Sequence, residues 1–539
     1  MQTPGSIQFR EGSFMTSLRL WFNKISSSPR AVRLALAAFA FLTRLLPGPR
    51  TIDDSFITFR YARNLLAGQG FVFNPGEAVL GTTTPLYTLL MAGLGALFGG
   101  IQADFPTIAL FVNAVADAFT CLLLWEIGKR LRMERAGFLA GLLWAAAAYS
   151  VTFAIGGLET SLYVLLLTAS AWAFLAGKRK LTALLGALAL LTRPDALILL
   201  GPLVLGRLMQ MGRELRKKPQ PSPVASYMLE MALFVLPVLA WYGFAWLTFG
   251  SPFPHSVTAK LAAYRLEPNA ALIRLVQHYA TPFLHHNLTG AALGVGLGLF
   301  FCPFLYAIGA RQAWKAIGWL SLPLTLYPWL YLITFAIPNP LIFRWYLTPP
   351  LPLYFLFLLA GLDELLQRLL KSRLGGWRPR LALSLVLVFS LVPLLSEWRL
   401  MLDHGPARPA PEMAFIKLEL LYRQAAEQIA PQMDENTLLA AGDVGVLGFY
   451  TPARILDTVG LNSPVSTRYY PLPPEDYVIN YAIPAELILA EMPDWVVILE
   501  VYGRRTLLPN PEFQAAYRLF DTLPTDIYGS EGMLIFQRR

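Results

Sequence analysis

The stretch TIDDSFITFRYARNLLAGQGFVFNPGE, Thr51–Glu77, follows the first apolar run of this 539-residue chain and decides how the remainder is read. It sets a pair of acids, Asp53-Asp54, beside Arg60, Tyr61, Arg63 and Asn64. Adjacent carboxylates are costly to hold next to a low dielectric. Acids just beyond a membrane helix are therefore either a solvated turn or residues with a chemical task, and the residues alone leave both readings open.

Composition supplies the membrane. The chain is 55% hydrophobic and 14% charged, with a mean hydropathy of +0.49, whereas soluble domains carry about 25% charged residues. Cys121 and Cys302 both lie in apolar surroundings, which speaks against a disulfide framework or a thiolate metal cluster. The formal charge of +10 is unevenly spread: residues 1–396 hold 33 Lys/Arg against 15 Asp/Glu, and residues 397–539 hold 11 against 19. A basic membrane part joined to an acidic tail reflects topology rather than a nucleic-acid ligand. Met1–Arg30 is polar and basic, without the apolar core of a cleavable signal, and is expected to be a cytoplasmic N-terminal segment.

Apolar runs long enough to span occur near 106–128, 136–154, 158–176, 228–249, 288–310, 316–337, 345–367 and 380–396. A weaker first run, 31–48, is interrupted by Arg44, expected to snorkel to the interface. The run 181–207 is broken by Thr192-Arg193-Pro194-Asp195 and reads as two shorter helices. The expectation is a polytopic α-helical membrane protein of about eleven transmembrane helices. Six basic clusters, with 24 Lys/Arg between them, fall on one side only if the short Gly-rich segment Thr84–Gly99 does not cross. That side is then the cytoplasm, and the tail lies outside. Within the tail, helical spacing over Met413–Ala430 precedes the strand-like runs TLLAAGDV, ARILDTVG, DWVVILEV and GMLIFQRR, the pattern of a small α/β extracytoplasmic domain. The expected organisation is a 1–30 cytoplasmic segment, a 31–396 transmembrane domain with outer loop 50–83, and a 397–539 domain.

This topology collects the unusual polar residues on one face: Asp53, Asp54, Glu159 in GGLET, Arg193 and Asp195, His255 and Lys260 in SPFPHSVTAK, and Arg344 in FRWY. Carboxylates so placed can serve a hydroxyl proton, and cations or a metal can hold a phosphate, close to the bilayer surface. Ion-coupled transport uses similar residues, but at mid-membrane depth, where Asp117 is placed. Each residue also has a plainer reading: an N-terminal helix charge for Glu159, a structural ion pair for Arg193 and Asp195, lipid headgroup contacts for Lys260 and Arg344, and a structural histidine for His255. Asp443, Arg454 and Asp457 read as turn chemistry around short strands.

Thr51–Glu77 resembles the acidic first outer loop of GT-C glycosyltransferases, and more narrowly that of bacterial arabinofuranosyl- and mannosyltransferase-like proteins. Gly156–Thr160 resembles their second acidic loop, and LLTRPDALIL, SPFPHSVTAKL and AGDVGVLGFYTPARILDTVGLNSP resemble further blocks in order, from about residue 50 to about residue 465. The resemblance implies an inverting transferase in the plasma (inner) membrane. It would move a sugar from a polyprenyl-phosphate donor to an external glycan or glycolipid acceptor; a lipid-linked-sugar flippase or ion-coupled transporter is the alternative. It makes Asp53 the first candidate for the acceptor-activating base and Asp54 its alternative or helper. Glu159 would position the acceptor or, with Asp54, a divalent cation (Mg or Mn), while Lys260, Arg344, Arg193 and His255 would serve the donor phosphate.

Overall fold

A computed structural model of the chain describes residues 28–216, 223–282, 291–369, 385, 395–401 and 405–539. Most of the expected N-terminal segment and of the run 380–396 lies outside the described residues. Helices begin where the sequence offers a start. Pro29 opens Pro29–Leu45 behind Ser28, whose hydroxyl accepts from the Ala31 amide at 3.4 Å, and Asp104 does the same for Phe105–Arg130. Gly128 and Gly137 let Phe105–Arg130 and Glu134–Ala146 pack nearly backbone to backbone, since a Cβ on Gly128 would lie 2.6 Å from the Gly137 Cα.

Four helices among the described residues are long and apolar enough to cross a bilayer: Phe105–Arg130, Pro194–Glu214, Ala225–Phe249 and Leu293–Ala336. The pair Glu134–Ala146 and Ala148–Ile155, bent by 49°, would make a fifth. Fewer helices thus pass than the eleven runs expected, for definite reasons. Thr160–Leu175 and Arg179–Thr192 are only 16 and 14 residues long, and Leu351–Leu369 ends in Asp363, Glu364 and Arg368. The break at Thr192–Asp195 falls where expected, with a short turn at Pro194–Ala196 before Leu197–Arg216. Pro85–Leu97 has 13 residues, about 20 Å of helix, well short of a ~30 Å hydrocarbon core.

Arg44 does not snorkel. Its side chain is fully buried, with Nε 3.0 Å from Asp117 Oδ2, and it also donates to the carbonyls of Ala40 and Trp144. Trp144 Nε1 and Ser161 Oγ donate to the same carboxylate, each at 2.9 Å. A charged pair in an apolar surround persists only when so completely bonded. Asn113 serves a neighbouring backbone instead of Asp117, donating to the carbonyls of Ala154 and Leu158.

The tail carries a five-stranded sheet, in the order Arg454–Asp457, Leu438–Ala441, Trp495–Leu499, Met533–Arg538, Tyr517–Leu523. The first three strands run parallel and the last two antiparallel. Lys417–Ile429 and several short helices accompany the sheet. The central strand Trp495–Leu499 is buried throughout, as a strand covered on both faces must be.

This sheet does not have a core of its own. Helix Asp53–Leu66 and the loop after it contribute Phe56, Phe59, Tyr61, Phe71 and Phe73 to the hydrophobic cluster that holds Leu439, Val446, Val497 and Ile535. Arg60, 3% exposed, donates to the carbonyls of Phe73 (2.8 Å), Gly448 (2.5 Å) and Ala453 (2.9 Å). Asn74 exchanges two hydrogen bonds with Ile455, covering the sheet's outer strand. The first loop is thus built into the tail.

Candidate active site

Asp53 and Asp54 occupy the first turn of Asp53–Leu66, where the helix dipole favours negative charge. Their side chains part company. Asp53, 7% exposed, turns into the tail, where Oδ2 accepts the Gly445 amide at 2.9 Å and Oδ1 the Val446 amide at 2.7 Å. These amides begin the short helix Gly445–Tyr450, so Asp53 caps it from another part of the chain. Burial first, and then the charge of Asp443, push the Asp53 carboxyl well above the ordinary range, against the lowering effect of the amides. Asp54 is more open and faces Lys260, whose Nζ is 3.8 Å from Oδ2.

Lys260 also stands 4.6 Å over the ring of Phe343, which begins the Phe343–Tyr346 segment singled out in the sequence. An aromatic run starts there: Trp345 on Phe343 at 4.7 Å, Phe343 against Tyr264 at 6.0 Å, Tyr264 against Tyr481 at 5.8 Å, and Tyr481 against Tyr502 at 5.0 Å. It lines a cavity of about 400 Å³ between the outer membrane loops and the tail. The tail's wall is made by Gly442 and Asp443, Val459, and Tyr502, which follow the carboxyl ends of the three parallel strands, where open α/β sheets bind ligands.

Asp443 is the acid on that wall. Its Oδ2 accepts the Tyr422 hydroxyl at 2.8 Å and the Tyr502 hydroxyl at 3.3 Å. Burial, with the charge of Asp54 adding to it, pushes its carboxyl up to about 6 despite the Tyr422 hydrogen bond. Glu419 also lines the cavity and is pushed up to about 7, mainly by burial.

A second cavity, of about 540 Å³, adjoins the first and shares Arg274, Arg344, Met413 and Phe415 with it. Its walls include Ala148, Leu347, Leu351 and Phe355, together with His278, whose Nε2 lies 2.9 Å from the Leu347 carbonyl. Arg274 and Arg344 are both exposed, and the charge of Arg344 helps to depress Arg274, after burial. Among the described residues neither has a carboxylate within salt-bridge distance. Glu397 and Glu412 also line this second cavity, but two cations open to two cavities at once, neither of them held in an ion pair, are a place for an anion.

Other expected site residues lie elsewhere. Arg193, 5% exposed, is held between Glu159 (2.9 Å) and Asp195 (2.9 Å) and stacks on Tyr163 and Tyr346. Both carboxylates already neutralise it, and it lines neither cavity. The loop before Glu159 does meet the Asp53 helix, since Gly156 accepts from the Ile52 amide at 3.0 Å. His255 donates its backbone amide to the Leu80 carbonyl and lines neither cavity. The expected cation ligands, Asp54 and Glu159, are paired with Lys260 and Arg193 respectively. Among the described residues no group of three or more His, Cys, Asp or Glu is placed to hold a metal ion. The residues present therefore do not fit the divalent cation expected from the resemblance.

Sequence reading passed over Asp443, Glu419 and Arg274 as site residues. The signal for Asp443 was its place in TLLAAGDV, directly after an apolar strand. Arg274 had only its charge to mark it.

Comparison with known proteins agrees with this architecture. A family model described as a domain of unknown function (DUF8728) matches residues 414–536. A terminal beta-(1->2)-arabinofuranosyltransferase of Mycobacterium tuberculosis is 31% identical over 156 residues, 28% of this chain and 23% of the relative. The chain therefore matches about a quarter of that relative's length. ArnT from Cupriavidus metallidurans, solved with undecaprenyl phosphate, superposes with a TM-score of 0.55 at 14% identity, over 96% of this chain and 97% of that one. The oligosaccharyltransferase AglB from Archaeoglobus fulgidus, solved with an inhibitory peptide and a dolichol-phosphate, gives 0.50 at 12% identity, over 90% and 72%. The chain has the GT-C fold expected from its first loop.

Proposed function

We propose that this chain is an inverting membrane glycosyltransferase that takes a sugar from a polyprenyl-phosphate donor and gives it to a glycan or glycolipid acceptor. The observation that carries the reading is the pair Arg274 and Arg344, neither with a carboxylate within salt-bridge distance among the described residues, shared by two adjoining cavities of which one has Leu347, Leu351 and Phe355 on its wall and the other Asp443. The donor phosphate binds between the two guanidiniums, which hold a charged leaving group better than a neutral site would. The first isoprene units lie along Leu347, Leu351 and Phe355, and the sugar reaches into the aromatic cavity. A carboxylate there accepts the acceptor's hydroxyl proton as its oxygen attacks the anomeric carbon. The bond from that carbon to the phosphate oxygen breaks, and the lipid phosphate leaves with the electron pair on the opposite face, which inverts the centre. The arabinofuranosyltransferase relative favours a pentose. Lys260 balances Asp54 at the cavity's edge, and no step requires a metal.

The site belongs on the outer face of the plasma membrane, with the N-terminus in the cytoplasm and the tail outside, because the basic loops then collect on the inner side. A transporter would need a free acid at mid-membrane depth, and Asp117 is committed to Arg44, Trp144 and Ser161.

The test is transfer in nanodiscs from a radiolabelled polyprenyl-phosphate pentose to short glycan and glycolipid acceptors, with a nucleotide-linked pentose in parallel. Elongated acceptor and stoichiometric lipid phosphate are expected from the lipid donor alone. Transfer from the nucleotide donor, or none from any lipid donor, would sink the reading.

A further inference from the structure

We infer that Tyr528, on the turn Ile527–Gly529 of the tail, is the stacking platform for the acceptor, and that Asp443 and Glu419 near it select an uncharged, hydroxyl-bearing sugar. The inference rests on the glycosyl-transfer reading above and names the acceptor class of the same cavity. Tyr528 lines that cavity with its side chain 58% exposed. Among the described residues its hydroxyl makes no hydrogen bond and its ring stacks on no other ring. Its backbone is strained: φ is 56° and ψ 22°, left-handed values that a bulky L side chain rarely adopts.

The protein enforces this conformation from both sides. Arg504 donates to the Gly529 carbonyl at 2.8 Å, and the buried Ser530 Oγ accepts the Val501 amide at 3.3 Å. Val501 precedes Tyr502, so the turn is fastened to the tail's wall of the cavity. Strain that the surroundings hold in place, under an exposed ring that packs on no other, serves to present that ring to a ligand.

The neighbours define the ligand. The Tyr528 phenol is raised by burial first, then by the charges of Asp443 and Glu419, and it is lowered by that of Arg344. Its hydroxyl end therefore stands between the cavity's two acids and a cation assigned to the donor phosphate. A ring so placed lies against the C–H face of a sugar, whose hydroxyls then reach the polar groups around it. On Asp443, Tyr422 and Tyr502 both donate to Oδ2, and among the described residues Oδ1 receives no hydrogen bond, which leaves it for a sugar hydroxyl. Glu419 Oε1 accepts the Asp53 amide at 3.4 Å, which fixes its carboxyl at the same wall. Hydrogen bonds from hydroxyls to carboxylates are short and strong, whereas an acid on the acceptor would meet like charge. A neutral sugar is held there and a uronic acid refused.

The test uses the full-length protein in nanodiscs carrying undecaprenyl phosphate, at pH 8, above the values of about 6 and about 7 for Asp443 and Glu419. Saturation-transfer NMR follows binding of short neutral pentose and hexose oligosaccharides, each with a counterpart ending in a uronic acid. At least one neutral oligosaccharide should bind, and its uronic counterpart about tenfold or more weakly. Tyr528→Ala should weaken the neutral sugar about tenfold or more and raise acceptor KM to match, with donor KM unchanged. Tyr528→Phe keeps the ring and should retain most of the affinity. Tyr528→Gly separates binding from folding: it relieves the positive φ, so the protein should melt no lower than the unaltered one, while sugar affinity falls as far as in Tyr528→Ala. Asp443→Asn should narrow the gap between neutral and uronic sugars. Failure of every neutral sugar to bind, or neutral binding unmoved by Tyr528→Ala, would overturn the inference. So would a raised donor KM with acceptor KM unchanged in Tyr528→Ala, which would give the ring to the lipid donor. These failures are compatible with normal transfer by the unaltered protein, so they leave the glycosyl-transfer reading standing. Sugar binding that depends on Tyr528, with no transfer from any lipid donor, would instead remove that reading and the acceptor role with it.

Discussion

The guanidinium of Arg193 lies 4.8 Å over the ring of Tyr346, two residues from Arg344. Tyr331 fastens the same turn by donating to the Tyr346 carbonyl at 2.8 Å. The Glu159–Arg193–Asp195 triad thus supports the segment that presents Arg344 to the cavities. Breaking one partner of a buried ion pair costs about 3–5 kcal/mol. Arg193→Met, which strands two carboxylates, should lower the melting temperature more than Glu159→Gln, which leaves Arg193 with Asp195. Both variants should raise donor KM, and equal melting with unchanged KM would separate the triad from the site.

Arg344→Ala should raise the donor KM about 10- to 100-fold, the range set by losing one charged hydrogen bond of about 1.5–3 kcal/mol. Arg274→Ala should act in the same direction, since both cations face the same space. Arg344→Lys keeps the charge and should lose less. Steady-state kinetics with lipid-linked donor checks all three; unchanged KM in both alanine variants would leave the phosphate elsewhere.

Gly445 marks the tightest joint between the first loop and the tail, as a Cβ there would fall 1.8 Å from the Asp53 carbonyl oxygen. Gly445→Ala must displace the start of Gly445–Tyr450, and such overpacking typically costs about 1–3 kcal/mol. Gly243→Ala, in Pro223–Phe249 with open space around it, is the control and should be neutral or mildly stabilising. Melting curves and protease cleavage of the tail compare the two.

Stability should fall as pH rises from about 5 to 8. Glu419 is pushed up to about 7, and Asp443 and Asp457 to about 6, in each case chiefly by burial. Between about 4, the unfolded value, and 6–7 the folded protein binds more protons than the unfolded chain, so the slope of stability with pH is negative there. Above about 7 the stabilising effect of protonation is gone. Melting of the whole protein at pH 5.5 and pH 8 measures the difference. Glu419→Gln should flatten it, and a slope of opposite sign would contradict the assignment.

The sequence made some of this legible and hid the rest for physical reasons. Apolar runs marked where helices form, and Pro194 between charges marked the break in one of them, because both signals are local. The Arg44–Asp117 pair joins residues 73 apart, and nothing in either segment announces the other. The first loop was legible as important, but the split between Asp53 and Asp54 depends on Gly445, Val446 and Lys260, none of them nearby in sequence. Asp443 showed its strand-end position but not which end of the sheet faces the membrane part. Glu159 and Arg193 each invited a ligand when read alone; each is the other's partner.

The hydrogen bonds from Asp53 to Gly445 and Val446 close a loop of nearly 400 residues. During synthesis Asp53–Leu66 therefore emerges, and its neighbours enter the bilayer, long before its native acceptors exist. Arg60 and Asp53 wait in water until the last quarter of the chain arrives, which makes this joint a late event and the chain a high-contact-order folder. A chain stopped before residue 397 would accordingly keep much of its apolar helical framework yet leave the aromatic face of its first loop bare.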